Sequence, residues 1–263
     1  MLTAYHPPSQ DKVNAANFKR SDGPFFCPAC GSELGLRKGL KRIHHFFHPP
    51  EKICHYRGES QLHLRIKKQL YFTLIEELGN QVKSVEIEKM IDDIRPDVFV
   101  EGFKKKIGIE IQVTPLTPAE LIRRTVSYYQ KKIYVLWVLP FSATRIFAAD
   151  DQEFQPIRLK VYEQMLYYMY YKHLIFWDDT EKYSNGFIAV KLKDVFQPKS
   201  SFYSKDWSSI IQFSPKKLKQ TKFPHAIEYN LPLQYFTPIY APPFQMPGMN
   251  FRLPGRFIMG RKQ

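Results

Sequence analysis

Two acidic residues carry the first hint of hydrolytic chemistry: Asp97, in Arg95-Pro96-Asp97, and Glu110, in Ile109-Glu110-Ile111-Gln112. Cutting a phosphodiester with divalent cations needs carboxylates that converge from different elements, because hard Mg2+ takes oxygen ligands and keeps waters. Two neighbouring carboxylates repel each other unless a cation sits between them. If the segments bearing Asp97 and Glu110 pair as a hairpin, the two side chains lie together and form a site for Mg2+ or Mn2+. Positions 110 and 112 share one face of a strand, so Gln112 is placed to reach an attacking water. Glu59 and His63 stand one helical turn apart. Glu59 offers another metal ligand, and His63 a contact to phosphate or a route for a proton. Their plainer readings are a carboxylate complementing a helix dipole and a histidine at the core's edge. Arg124 and Tyr128 form a similar pair, able to orient Glu110 or a phosphate, or simply to pack a helix.

A second cluster precedes these. The chain has three cysteines, Cys27, Cys30 and Cys54. An odd number in so short a window favours metal over disulfides. Cys27-Pro-Ala-Cys30 is a Cys-x2-Cys knuckle, whose two thiolates suit one tetrahedral Zn2+. The second pair comes from His44, His45, His48 and Cys54. The preferred set is Cys27, Cys30, His48 and Cys54, with His45 as the substitute for His48. A closed site of soft ligands is structural rather than catalytic. Lys38, Lys41 and Arg42 lie between the two halves, where they either meet phosphates or solvate the loop. His55 reads as a neighbour of the metal or a DNA-facing group.

The elements that must hold these groups are partly legible. Leu62, Ile66, Leu70, Leu74 and Leu78 recur every four residues, predicting an amphipathic helix that Gly79-Asn80 stops. Extended segments follow near 82–88 and 95–101, separated by a solvated turn at Asp92 and Asp93. From Ile107 to Val113 apolar residues alternate with Gly108, Glu110 and Gln112, as in a strand. Lys104 to Lys106 then belong to a hairpin tip near DNA. Thr117-Pro118-Ala119-Glu120 predicts a capping box opening a helix to about Gln130, followed by a strand over Ile133 to Leu139. Helix, three strands, helix, strand is an α/β core with a helical crossover. Beyond Pro140, residues 158–172 read as helix, with a hairpin of 173–177 and 187–192 turning at Asn185-Gly186. The expected organisation is a zinc module over 1–58, a nuclease core over 59–140, a helical and hairpin extension over 141–200, and a basic tail over 201–263. From Ser214 onward eight Lys or Arg face one Glu, a local charge of +7, with eight prolines. That tail is expected to be extended and irregular.

Composition agrees with a nucleic-acid partner. Lys and Arg number 39 against 25 Asp and Glu, a net charge of +14. Such an excess favours polyanions, since neutralising phosphates releases counterions. No apolar run approaches the length of a membrane helix, and the first residues lack a signal-peptide pattern. A cytoplasmic protein without a membrane partner is expected.

Several short motifs, in order, resemble the competence protein CoiA family of predicted nucleases. They are Phe26-Cys27-Pro28-x-Cys30, His45-Phe46-Phe47-His48, Cys54, Gly58-Glu59-Ser60-x-x-His63, Arg95-Pro96-Asp97-Val98, Ile109-Glu110-Ile111-Gln112, Arg124-Thr125-x-x-Tyr128 and Trp137-Val138-Leu139. The resemblance spans about residues 1 to 195. It implies a restriction-endonuclease-like core of the PD-(D/E)xK type behind a zinc-binding module, acting on incoming DNA and in recombination. By motif match, Asp97 and Glu110 are metal ligands, Gln112 the third active-site residue, and Glu59 and His63 helix-borne supports. Lysine is expected where Gln112 stands. Glutamine positions water but brings no positive charge, so cleavage is slow or a nearby lysine substitutes. The expected activity is metal-dependent DNA hydrolysis, alone or with recombination or defence proteins. The rival readings are a non-catalytic DNA-binding adaptor and an interaction protein working through its aromatic tail.

Overall fold

In a computed structural model the chain is described except for residues 41, 53, 55–58, 143–158, 181–185, 198–218, 247–251 and 262–263. Lys41, His55, Gly58 and the predicted turn at Asn185 therefore lie outside the described residues.

The first strands, β1 (Thr3–His6), β2 (Asp11–Asn14), β3 (Phe25–Phe26), β4 (Glu33–Arg37) and β5 (His45–Phe47), form an antiparallel sheet in the order β2-β1-β3-β4-β5. Its core is small: Ala4, Val13, Phe25, Leu34, Leu36 and Phe46 pack with Cys27 and Cys54. Phe47 lies across its strand partner Gly35, where a Cβ would stand 2.4 Å from the ring.

Helix α1 (Gln61–Leu78) follows. The Ser60 hydroxyl accepts the His63 N–H at its start, and Gly79, at φ 44°, ends it. Leu64, Ile66, Leu70 and Leu74 are buried, each contributing about 2 kcal/mol. Leu62 and Leu78 pack at the margin.

Strands β6 (Val82–Ile87), β7 (Val98–Gly102) and β8 (Lys106–Ile111) form an antiparallel meander. Helix α2 (Pro118–Gln130) then crosses over to β9 (Ile133–Pro140), which runs parallel to β8. Thr117 accepts the Glu120 N–H, while the Glu120 carboxylate takes Arg123. Asp92 and Asp93 form an exposed turn that Lys131 pairs with.

Helix α3 (Val161–Met169) leads to β10 (His173–Trp177), parallel to the end of β9, and β11 (Phe187–Gln197) returns antiparallel to β10. These strands extend the same sheet.

The C-terminal region corrects the expectation of an irregular extension. Strand β12 (Lys219–Leu231) pairs along β11, and β13 (Phe236–Ala241) pairs with β16 (Arg256–Arg261). The short β14 (Phe244–Gln245) and β15 (Arg252–Leu253) pair with each other. β16 in turn pairs parallel to the first half of β9. The sheet thus holds nine strands, in the order β12-β11-β10-β9-β8-β7-β6 with β16 and β13 branching from β9. The prolines misled because they sit where a missing N–H costs little: Pro232, Pro242, Pro243 and Pro254 flank strands, and Pro238 lies in β13, an edge strand. Buried Phe236, Ala241, Ile258 and Met259 supply the apolar face that keeps these strands in the core. No helix among the described residues is long and apolar enough to cross a membrane.

Candidate active site and metal centre

The β7–β8 register sets Val98 opposite Ile109, which brings Asp97 beside Glu110. Asp97 is buried, and its Oδ2 accepts the Ile111 N–H at 2.9 Å and His63 Nε2–H at 2.9 Å. Its Oδ1 lies 3.0 Å from Lys67 Nζ. Burial alone would raise the Asp97 carboxyl, but His63 and Lys67 hold it well below the usual carboxylate range. Glu59 sits one turn before His63, with Oε1 3.8 Å from His63 Nδ1. Ligand atoms of Glu59, His63 and Asp97 all lie within 4.8 Å of one another, an arrangement that could hold a metal ion.

Glu110 is handled differently. Tyr128 donates its hydroxyl to one carboxylate oxygen and Arg124 its guanidinium to the other. Burial holds the Glu110 carboxyl above its ordinary range, with Arg124 acting in the opposite direction. Arg124 also stacks on Trp137, its guanidinium carbon 4.8 Å from the ring centroid. The expected Asp97–Glu110 pair is adjacent, yet the ligand cluster forms toward the helix. Gln112 is buried and donates its amide to the Thr114 carbonyl. Glu59, His63, Asp97, Glu110, Gln112, Arg124 and Tyr128 line one cavity of about 790 Å3, with Arg123, Ser127 and Thr114 at its wall.

Gly108 makes the Tyr128 contact possible. A Cβ there would stand 2.5 Å from the Tyr128 ring, which crosses the strand at this point. Gly108→Ala is expected to push Tyr128 off Glu110 and cost about 1–3 kcal/mol of stability, read by urea unfolding. An unchanged midpoint would contradict this packing.

Sequence reasoning missed Lys67. It is fully buried on α1 and donates to Glu59 Oε1 at 2.6 Å and Glu88 Oε1 at 2.8 Å, besides its contact with Asp97. Burial acts to lower its pKa, but the Asp97, Glu59 and Glu88 carboxylates raise it well above the ordinary lysine value. Glu59, His63 and Lys67 recur every four residues, a column that starts at Glu59, just before the Ser60 cap, and continues along α1. That column was the available signal, obscured by the apolar one beside it. Glu88, also missed, is pushed up by burial but held well below its usual range by Lys67 and Arg95. A depressed carboxyl adds stability in full above its unfolded pKa, about pH 4, and loses it as the pH falls through the folded value. Stability should therefore fall below about pH 4, and Glu88→Gln should flatten that slope in pH-dependent urea titrations.

In the amino-terminal sheet, ligand atoms of Cys27, Cys30, His48 and Cys54 lie within 4.8 Å of one another. The knuckle closes through Gly31 N–H donating to the Cys27 carbonyl at 2.9 Å, with Gly31 at φ 66°. The Ala29 N–H points at Cys27 Sγ, 3.4 Å away. Burial pushes the Cys27 thiol up to about 11. Cys30 is brought down to about 6, because Ser32 and His48 outweigh the effect of burial. His45 stands outside the cluster and bonds the Ile43 carbonyl through Nδ1 at 2.7 Å. Lys38 donates to the Phe18 carbonyl at 2.6 Å, tying its ammonium to the backbone, whereas Arg42 is exposed.

The family model "Competence protein CoiA, nuclease-like domain" matches residues 59–223, and "Competence protein CoiA, N-terminal domain" matches residues 8–57. The chain belongs to the CoiA family. A competence protein CoiA from Bacillus subtilis (strain 168) is 28% identical over 151 residues, which cover 55% of this chain and 40% of that protein. The matched part is thus well under half of the CoiA relative. Both clusters fall inside the family matches, with Cys27 to Cys54 in the first range and Glu59 to Tyr128 in the second.

Proposed function

We propose that this protein is a metal-dependent DNA nuclease with a restriction-endonuclease-like, PD-(D/E)xK-type core and a structural Zn2+ site in its amino-terminal sheet. The observation that carries the reading is the convergence of Glu59, His63 and Asp97 in one cavity with Glu110, inside the stretch matching the CoiA nuclease-like domain. Mg2+ or Mn2+ is the expected cation, since carboxylate oxygens dominate the donor set. When bound, it would polarise a phosphate and lower the pKa of a coordinated water. Asp97 and Glu59 are the ligands the geometry offers, with His63 as a third donor or a proton holder and Glu110 as a carboxylate that Arg124 and Tyr128 keep in place. Lys67 supplies the buried positive charge that Gln112 lacks. Arg124, Lys41 and Arg42 are candidates for contact with DNA, whereas the Lys38 ammonium is taken up by the Phe18 carbonyl. The donor set Cys27, Cys30, His48 and Cys54 suits Zn2+: four converging soft ligands, with a backbone N–H directed at one thiolate.

One observation favours a second reading, a DNA-binding adaptor without catalysis. Lys67 already lies against Asp97 and Glu59, both oxygens of Glu110 are engaged, and Gln112 is turned to the backbone. Incubating the full chain with labelled linear, circular and single-stranded DNA in Mg2+, Mn2+ or EDTA separates the two. Cutting that needs the cation supports the nuclease; binding of DNA without cutting in any cation supports the adaptor.

A further inference from the structure

Buried Glu88 ties the amino-terminal sheet to the candidate catalytic carboxylates, beside a direct contact of the Met1 ammonium with Glu59 Oε2 at 3.2 Å. Glu88 follows β6 with φ 53°, a strained backbone for a residue other than glycine, which persists only where the surroundings over-determine it. Its carboxylate provides that constraint. Oε1 accepts the Leu2 N–H at 3.0 Å and Lys67 Nζ–H at 2.8 Å. Oε2 accepts the Thr3 N–H at 3.2 Å and the Thr3 hydroxyl at 2.8 Å. Glu88 then meets Asp97 by two routes. Its backbone N–H donates to the Asp97 carbonyl at 3.1 Å, and Lys67 bridges its carboxylate to Asp97 Oδ1 and Glu59 Oε1. Leu2 and Thr3 precede both family matches, so this clamp adds to what the matched regions contain.

We propose that Glu88, gripped by Leu2 and Thr3, is a positioning residue that sets Lys67 and through it Asp97 and Glu59, so that the amino-terminal sheet completes the active centre. The inference rests on reading those carboxylates as the reactive ones. A merely mechanical junction is also present and serves as the control. Lys12 donates from the same sheet to the carbonyls of Ile87 and Glu88 without touching the Glu88 carboxylate.

The test uses the full chain and three variants: Thr3→Val, which removes one hydroxyl bond, Glu88→Gln, and Lys12→Met. Two quantities are read, the kcat and KM for DNA cleavage and the His63 imidazole signals in the NMR spectrum. Thr3→Val and Glu88→Gln are expected to lower kcat about tenfold with KM within about twofold, and to shift the His63 signals. Lys12→Met should lose stability while keeping both. If Thr3→Val and Glu88→Gln match Lys12→Met in kcat and in the His63 signals, the positioning role is overturned. If the wild type cuts no DNA, the nuclease reading falls, and the His63 signals alone decide whether Glu88 sets this site.

Discussion

Asp97→Ala is expected to lower metal-dependent cleavage on the order of a thousandfold. Asp97 is where the proposed ligands meet: it bonds His63, touches Lys67, and is fixed by the Ile111 N–H. Metal ions stabilise charge in the transition state by several kcal/mol, and each ~1.4 kcal/mol is a tenfold rate. Losing the shared carboxylate forfeits most of that. The alanine also leaves Lys67 with one fewer anionic partner in a buried site, which destabilises the fold. Asp97→Asn separates the effects, because it keeps the shape and much of the hydrogen bonding while removing the charge. An Asn variant that folds like the wild type and still loses cleavage assigns the loss to metal binding. An Asn variant that cuts at the wild-type rate contradicts the assignment.

The zinc site should have a larger effect on stability. Structural Zn2+ sites bind with about 10–16 kcal/mol in small domains, and the amino-terminal sheet has only a small apolar core of its own. Two of its core residues, Cys27 and Cys54, are themselves candidate ligands. Cys27→Ser is expected to unfold this sheet, seen as loss of dispersed amide signals from residues 1–54, while the larger sheet keeps its own. The wild type should carry one Zn2+ per chain by elemental analysis. Protein purified without zinc and still showing a folded amino-terminal sheet would sink the structural role. Because Leu2 and Thr3 grip Glu88, loss of the sheet should also lower nuclease activity.

What the sequence made legible was local pattern. The alternation of Ile107, Ile109 and Ile111 located β8, and the antiparallel β7–β8 pair set Asp97 beside Glu110, as expected if the two segments formed a hairpin. The leucines of α1 and the Thr117-Pro118 start of α2 were equally plain, because periodicity and caps are written in consecutive residues. The Cys-x2-Cys spacing pointed to the thiols that the fold gathers with His48. Illegible were features that depend on distant partners. For Lys67 the four-residue column with Glu59 and His63 was the one local signal, and it says nothing of Glu88 and Asp97, which reach it from separate segments. Glu88 gave no sign that it would turn into the left-handed region to meet Leu2 and Thr3, eighty-odd residues earlier. The C-terminal strands were hidden by proline and charge, since β16 is fixed by its pairing with β9, over a hundred residues away.

The most direct test of the central claim is Mn2+ binding to the full chain, measured by electron paramagnetic resonance beside DNA cleavage, for wild type, Asp97→Asn and Cys27→Ser refolded with Mg2+ excluded. A bound Mn2+ in the wild type that disappears in Asp97→Asn together with cleavage is the predicted result. Mn2+ bound equally by wild type and Asp97→Asn, or cleavage that continues without it, would contradict a metal-dependent nuclease centred on Asp97.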